Sequence, residues 1–212
     1  MRKKDPCKRE ELLEKCFDCF CRHGIEGTST RMLSEACGMS AGNIFHYFKS
    51  KDEIIIESTA HCMAKVEDEF MANAPRDMAD VQRFLKEIPY WTAQRHGEKY
   101  RFMYQVYTSP KYRRYGTEFF SGVTRRYAAY AKVLEERLGI PGQIIQALIY
   151  TFVRASVHYA LFEDEAYLLP QLRLLEAAVP MFREKYAKAP PQDPEDPDRQ
   201  SSPPLPNGEG EK

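Results

Sequence analysis

Apolar residues recur at helical spacing along most of the 212-residue chain, and no segment shows the alternation of a half-buried strand. A first helix is expected to end at Gly24, and two short helices should lie on either side of Gly38. Longer helices are predicted over 54–73, 77–94, 98–108, 110–138, 141–162 and 167–187. The pattern therefore predicts an all-α protein.

The two short helices around Gly38 have the capping and packing signals of a helical hairpin. Ser29 is placed to cap the first and Ser40 the second, and Gly38 suits the left-handed backbone that ends a helix. Each helix carries one apolar stripe that can pack against the other, with Leu33, Ala36 and Cys37 on the first and Ile44 and Phe48 on the second.

The opposite side of the second short helix carries small, polar and aromatic groups. These are Ala41, Gly42, Asn43, Phe45, His46 and Tyr47. In a helix-turn-helix the second helix enters the major groove, where small residues allow close approach and polar ones contact base edges or phosphates. The hairpin therefore predicts a DNA-binding head, although ordinary helical proteins contain hairpins of the same spacing.

Residues 10–57 resemble the N-terminal domain of the tetracycline-repressor (TetR) family of transcriptional regulators. The resemblance rests on the Gly24-Ile25 turn, the Thr28-Ser29 helix start, the residues Gly38, Ser40 and Gly42, and the closing run from Phe48 to Lys51. Three positions depart from the family pattern. Phe45 replaces the usual Tyr, Tyr47 the usual His and Ser34 the favoured Ala.

The expected DNA contacts lie in and beside the hairpin. Arg31, at the start of the first short helix, is the candidate for a bidentate contact to guanine. Phosphate contacts are expected from Thr28, Ser29, Asn43, His46, Tyr47 and Lys51. Ser40, Ala41, Gly42 and Phe45 complete the predicted interface.

The charge balance does not indicate a general polyanion binder. The chain has 31 Lys and Arg against 31 Asp and Glu, so DNA contact must depend on a few placed groups. The N-terminus lacks the apolar core of a secretory signal and no run is as long as a membrane span, which predicts a cytoplasmic protein without membrane contact.

Cys16, Cys19, Cys21 and His23 have a spacing that superficially suggests a metal site. On one helix, Cys21 points away from the face shared by Cys16 and Cys19, and zinc needs convergent ligands. Core packing is therefore the preferred interpretation. No metal site, cofactor or catalytic group is predicted.

The segment after the head is rich in aromatic residues, which supply apolar walls with polar edges. The family resemblance implies an effector pocket in this part of the chain. The composition suggests an apolar, aromatic or long-chain effector, with Trp91, Tyr104, Tyr107 and Phe120 as wall candidates.

The last two predicted helices are apolar over more than one face and need burial on both sides. They are either central core helices or a dimer interface, and the resemblance implies a four-helix dimer contact. The predicted organisation is a three-helix head at 1–50, a helical effector-binding and dimerisation body at 51–189, and a disordered Pro-rich and acidic tail at 190–212.

These features predict a homodimeric, ligand-responsive transcriptional regulator, most simply a repressor of a palindromic double-stranded DNA operator. Two alternatives remain open. One is a thiol- or metal-responsive regulator with the same fold, and the other is a small-molecule-binding enzyme with an incidental hairpin.

Overall fold

The computed structural model describes residues 6–75 and 78–186. Within these ranges every regular element is an α-helix, so the all-α prediction is confirmed. In chain order the helices are α1 (Pro6–Gly27), α2 (Thr30–Ala36), α3 (Ala41–Tyr47), α4 (Lys51–Ala72), α5 (Met78–Thr108), α6 (Arg113–Leu138), α7 (Gly142–Phe162) and α8 (Glu165–Tyr186). The predicted tail at 190–212 lies outside the described residues.

Glycine marks two of the predicted helix ends. Gly139 follows α6 in the left-handed conformation, with φ of 70°. Gly24 also has φ of 70°, with ψ of 176°, and interrupts the helical backbone of α1 three residues before the helix ends at Gly27. Both positions use backbone freedom that other residues rarely have.

The predicted break at Gly97 is wrong, because α5 continues through it. A Cβ atom at Gly97 would lie 3.1 Å from the carbonyl oxygen of Ala160 on α7. Arg101 donates from Nη1 to the same oxygen over 3.2 Å. Gly97 therefore allows α5 and α7 to approach closely, rather than ending a helix.

The head and the body share one continuous hydrophobic core. Phe102 of α5 stacks on Phe20 at 5.4 Å between ring centroids and meets Phe17 edge-on at 5.5 Å. All three rings are buried, and such aromatic pairs contribute beyond the area they bury. Helix α5 of the body therefore packs directly against α1 of the head.

The body packs around α7, which contacts α5, α6 and α8. Among the described helices, α7 alone is long and apolar enough to cross a membrane, with mean hydropathy of 1.2 over its best window and 33% of that window buried. A single helix of this kind is a weak indication, because core helices of globular proteins meet the same criteria.

Candidate functional site

The predicted helical hairpin is formed by α2 and α3. Ser29 caps α2, because its Oγ accepts a hydrogen bond from the Met32 N–H over 3.2 Å. Gly38, with φ of 62°, makes the left-handed turn between the helices. Ser40 has the extended backbone of an N-cap, but its hydroxyl makes no capping hydrogen bond with α3, contrary to the prediction.

The inner faces of α2 and α3 fix how the hairpin sits on the head. Leu33, Cys37, Ile44 and Phe48 are buried, as the apolar stripes predict. Ala36 is exposed instead of buried. Ser34 takes the buried position, and its hydroxyl is satisfied by donating to the Thr30 carbonyl over 2.9 Å, so a polar residue is tolerated there.

The outer face of α3 is open to solvent. Gly42, Asn43, Phe45 and His46 are all exposed, and we call these four residues the α3 face. Phe45 is 40% exposed. Tyr47 is half-buried and packs against the head core. The local periodicity thus orients the α3 face as expected.

Arg31 lies on the exposed side of α2, in its first turn. Its side chain is 87% exposed, and its Nε is 2.8 Å from Glu35 Oε1. An exposed pair of this kind is weak, so the guanidinium can exchange Glu35 for another acceptor. The neighbouring Thr30, which sequence analysis did not select, is exposed at the first position of α2.

Thr28 and Lys51 are placed differently from the other predicted contacts. Thr28 is fully buried, and its hydroxyl donates to the Gly24 carbonyl over 2.7 Å. The expected phosphate contact through this hydroxyl is therefore wrong in this conformation, because the group stabilises the end of α1. Lys51 donates from Nζ to the Ile25 carbonyl over 2.6 Å, which joins α4 to the end of α1.

A cavity of about 590 Å³ opens in the body among α4, α5, α6, α7 and α8. Its size lies in the usual range for small-molecule sites. Seven aromatic side chains line it, namely Tyr100, Tyr104, Phe119, Phe120, Tyr127, Tyr150 and Tyr167. The structure therefore contains a cavity with the aromatic walls that composition suggested.

Two of the four predicted wall residues, Tyr104 and Phe120, line this cavity. Tyr107 does not, because it packs so tightly against Gly116 that a Cβ there would lie 2.7 Å from the Tyr107 Cβ. Trp91 is also absent from the wall and instead meets the His96 ring edge-on at 5.1 Å. The expectations for Tyr107 and Trp91 are thus corrected to packing roles.

Sequence analysis missed Glu67, an acidic residue in the cavity wall. Glu67 is only 6% exposed, and its Oε2 accepts a hydrogen bond from the Tyr127 hydroxyl over 2.9 Å. Burial raises the pKa of its carboxyl group, although the Tyr127 hydrogen bond opposes the shift. The sequence does contain a signal for this residue, because helical spacing places Glu67 on the same stripe of α4 as the buried Met63 and Phe70.

Residues 12–57 match the family model described as bacterial regulatory proteins, tetR family. The head of this chain is therefore similar to regulatory proteins of the TetR family. The transcriptional repressor AcnR from Corynebacterium efficiens is 35% identical over 81 residues, which are 38% of this chain and 42% of that repressor. The matched part is thus less than half of the relative.

The similarity in fold to solved structures extends beyond the head. A Mesorhizobium loti protein assigned to the family superposes with a TM-score of 0.64 and 17% identity, covering 85% of this chain and 96% of that one. FadR from Bacillus halodurans, a fatty acid degradation regulator, superposes with a TM-score of 0.57 and 14% identity. The superposition covers 82% of this chain and 96% of FadR. At these identities the similarity shows a shared fold alone.

The body exposes an apolar stripe along α8. Its members are Tyr167, Pro170, Leu174, Ala177 and Met181, spaced alternately three and four residues apart. Leu174 and Met181 are 58% and 56% exposed. A stripe with this spacing is the kind that packs against another helix, and we call it the α8 stripe.

One polar contact joins the first turn of α4 to the turn between α5 and α6. Asp52 Oδ1 lies 2.7 Å from Lys111 Nζ and accepts a hydrogen bond from the Tyr112 hydroxyl, also at 2.7 Å. The Lys111 hydrogen bond, with help from Tyr112, lowers the pKa of Asp52. Since α5 and α6 also line the cavity, Asp52 connects the cavity wall to the helix that follows the head.

The cysteines of the head lie mainly in its core. Cys16 and Cys37 are buried with their Sγ atoms 3.5 Å apart, a contact between α1 and α2 that the sequence did not suggest. Cys21 and Cys62 have pKa values raised to about 12 by burial, so their thiols stay protonated and poorly reactive. Within 6–75 and 78–186 no three His, Cys, Asp or Glu residues converge as metal ligands.

Proposed function

We propose that this chain is a dimeric transcriptional repressor that binds a palindromic DNA operator and is released from it by a small-molecule effector. The observation that carries the proposal is the exposed α3 face, held outward by the buried Leu33, Ile44 and Phe48. The match of residues 12–57 to the tetR family model and the similarity to the repressor AcnR support the same function. No catalytic activity is proposed.

The proposed DNA interface comprises most of the residues selected from sequence. Arg31 is assigned to base readout, and the exposed α3 face to close contact with the major groove. The remaining proposed contacts are Ser29, Ser40, Ala41, Tyr47 and Lys51. Lys51 has a second role, because its bond to Ile25 sets the end of α1 relative to α4.

The remaining parts of the proposal concern the body. Residues 1–50 form the DNA-binding domain and 51–189 the effector-binding and dimerisation domain, with Ser50 capping α4 at the boundary through the Glu53 N–H at 3.1 Å. The α8 stripe supports dimerisation, because a second copy would cover its exposed apolar surface. The cavity supports effector binding, with Tyr104 and Phe120 in its wall.

Replacing Arg31 by Ala is expected to weaken binding to an operator selected from random duplexes by about 5- to 150-fold. Base preference should relax at one position in each half-site, because the guanidinium fork would be lost. Titration of the selected operator and its single-base variants measures both effects. Arg31→Lys is the matched variant, since it keeps the charge and loses the bidentate geometry. Full recovery of affinity and base preference with Lys would assign Arg31 to a phosphate.

A further inference from the structure

The cavity contains a buried acidic group without a basic partner. Apart from the Tyr127 hydroxyl, no hydrogen-bond donor to the Glu67 carboxyl is found among the described residues. No described Lys, Arg or His nitrogen forms an ion pair with it. The charge of the neighbouring Arg126 opposes the rise in the pKa of Glu67 without cancelling it, and its guanidinium pairs with the exposed Asp68 at 2.8 Å. Glu67 is therefore a desolvated carboxyl with one neutral partner.

This arrangement is unfavourable for an ionised carboxylate that lacks a counter-charge. A buried carboxylate loses its hydration, and one hydroxyl does not replace it. A carboxylic acid avoids part of this cost by staying protonated, which agrees with the raised pKa of Glu67. A positively charged ligand group would remove the cost by supplying the missing counter-charge.

The walls around Glu67 favour the same ligand chemistry. Seven aromatic side chains line the cavity, including Tyr127, which holds Glu67, and Tyr100. The faces of aromatic rings attract cations, most strongly where water is excluded. Their apolar area also suits a hydrocarbon skeleton. A carboxylate among aromatic rings is therefore complementary to a cationic head on an apolar ligand.

Arg154 is the basic residue among the described lining residues, and it favours an anion instead. Its side chain is exposed to solvent, so water and salt screen its interactions. Glu67 is buried, and its charge is screened much less. The group with the larger electrostatic effect on a bound ligand is thus Glu67.

We propose that the cavity binds an amphipathic organic cation, with Glu67 as its counter-ion and the aromatic side chains as its walls. This assignment rests on the proposed effector-responsive function and specifies the chemical class of the effector. It adds a positive charge to the apolar ligand that composition alone suggested.

Calorimetric titration of the full chain with three ligands of equal chain length tests the assignment. Dodecyltrimethylammonium and dodecanoate, each below its micelle concentration, and dodecan-1-ol, below its solubility limit, differ in head-group charge. The cation should bind at least about tenfold more tightly than either of the others. Glu67→Gln should remove that advantage and leave the alcohol within about twofold, because it keeps the side-chain shape and an acceptor for Tyr127.

Glu11→Gln is the matched control, since it makes the same charge change on the surface of α1, where Glu11 pairs with Lys8 and Lys15. It should leave all three affinities unchanged. Absence of cation binding, equal binding of cation and alcohol, or cation binding that survives Glu67→Gln with native melting behaviour would each overturn the assignment. Titration of the operator in the presence of each ligand distinguishes failure of the cation site from failure of the effector-responsive function. Release by dodecanoate or the alcohol alone would preserve the effector-responsive function and reject the cation site.

Discussion

Replacing both Leu174 and Met181 by Asp should convert the proposed dimer to a monomer and weaken operator binding by at least about 100-fold. The two residues are the most exposed large apolar members of the α8 stripe. Substitution of both by Asp would introduce two negative charges into the proposed apolar contact between protomers. A monomer presents one head and loses the gain in affinity from holding two half-sites at once. Sedimentation velocity and operator titration measure the two effects.

Val133→Asp provides a control for this pair of substitutions. Val133 is also an exposed apolar residue, 44% accessible, but it lies on α6. The Val133 variant should remain dimeric and bind the operator normally. A Leu174 and Met181 double variant that remains dimeric at micromolar concentration would show that α8 does not form the interface.

Replacing Asp52 by Ala should reduce the effect of a bound ligand on operator affinity, with little change in ligand affinity itself. In the unmodified protein, ligand and operator should weaken each other's binding by about 5- to 150-fold, the usual range for coupled sites. Asp52 holds the first turn of α4 against Lys111 and Tyr112. Without these contacts, movement of the cavity wall reaches the head less effectively, and coupling should fall to about threefold or less.

Operator titrations with and without dodecyltrimethylammonium, or with another ligand found by thermal shift, measure this coupling. Glu11→Ala is the charge-matched control, because Glu11 pairs with Lys8 and Lys15 within α1 alone. It should alter operator affinity equally with and without ligand. If ligand and operator still weaken each other's binding to the full extent in the Asp52 variant, the two sites are coupled through other contacts. The packing of Phe102 on Phe17 and Phe20 is one such contact.

Local signals were sufficient to predict most of the fold. Helical spacing identified the helices, and left-handed glycines at Gly38 and Gly139 ended elements where expected. The predicted helix break at Gly97 was wrong because this glycine packs against the Ala160 carbonyl of a different helix. A single sequence does not distinguish a glycine needed for close packing from one that ends a helix.

The two candidate sites differ in how well sequence predicted them. The α3 face follows from periodicity over a few residues, so its orientation was predictable. The cavity is assembled from five helices, and aromatic content does not tell which rings line it. Trp91 and Tyr107 therefore pack elsewhere, while Glu67 was overlooked because its burial depends on Tyr127 of α6.

Selection of binding sites from random duplex DNA by the full chain tests sequence-specific operator binding most directly. The account predicts enrichment of one pseudo-palindrome with two half-sites, whose affinity exceeds that of unrelated DNA by about 1000-fold or more at physiological salt. Recovery of random sequences alone, with retention that disappears as salt rises, would contradict it.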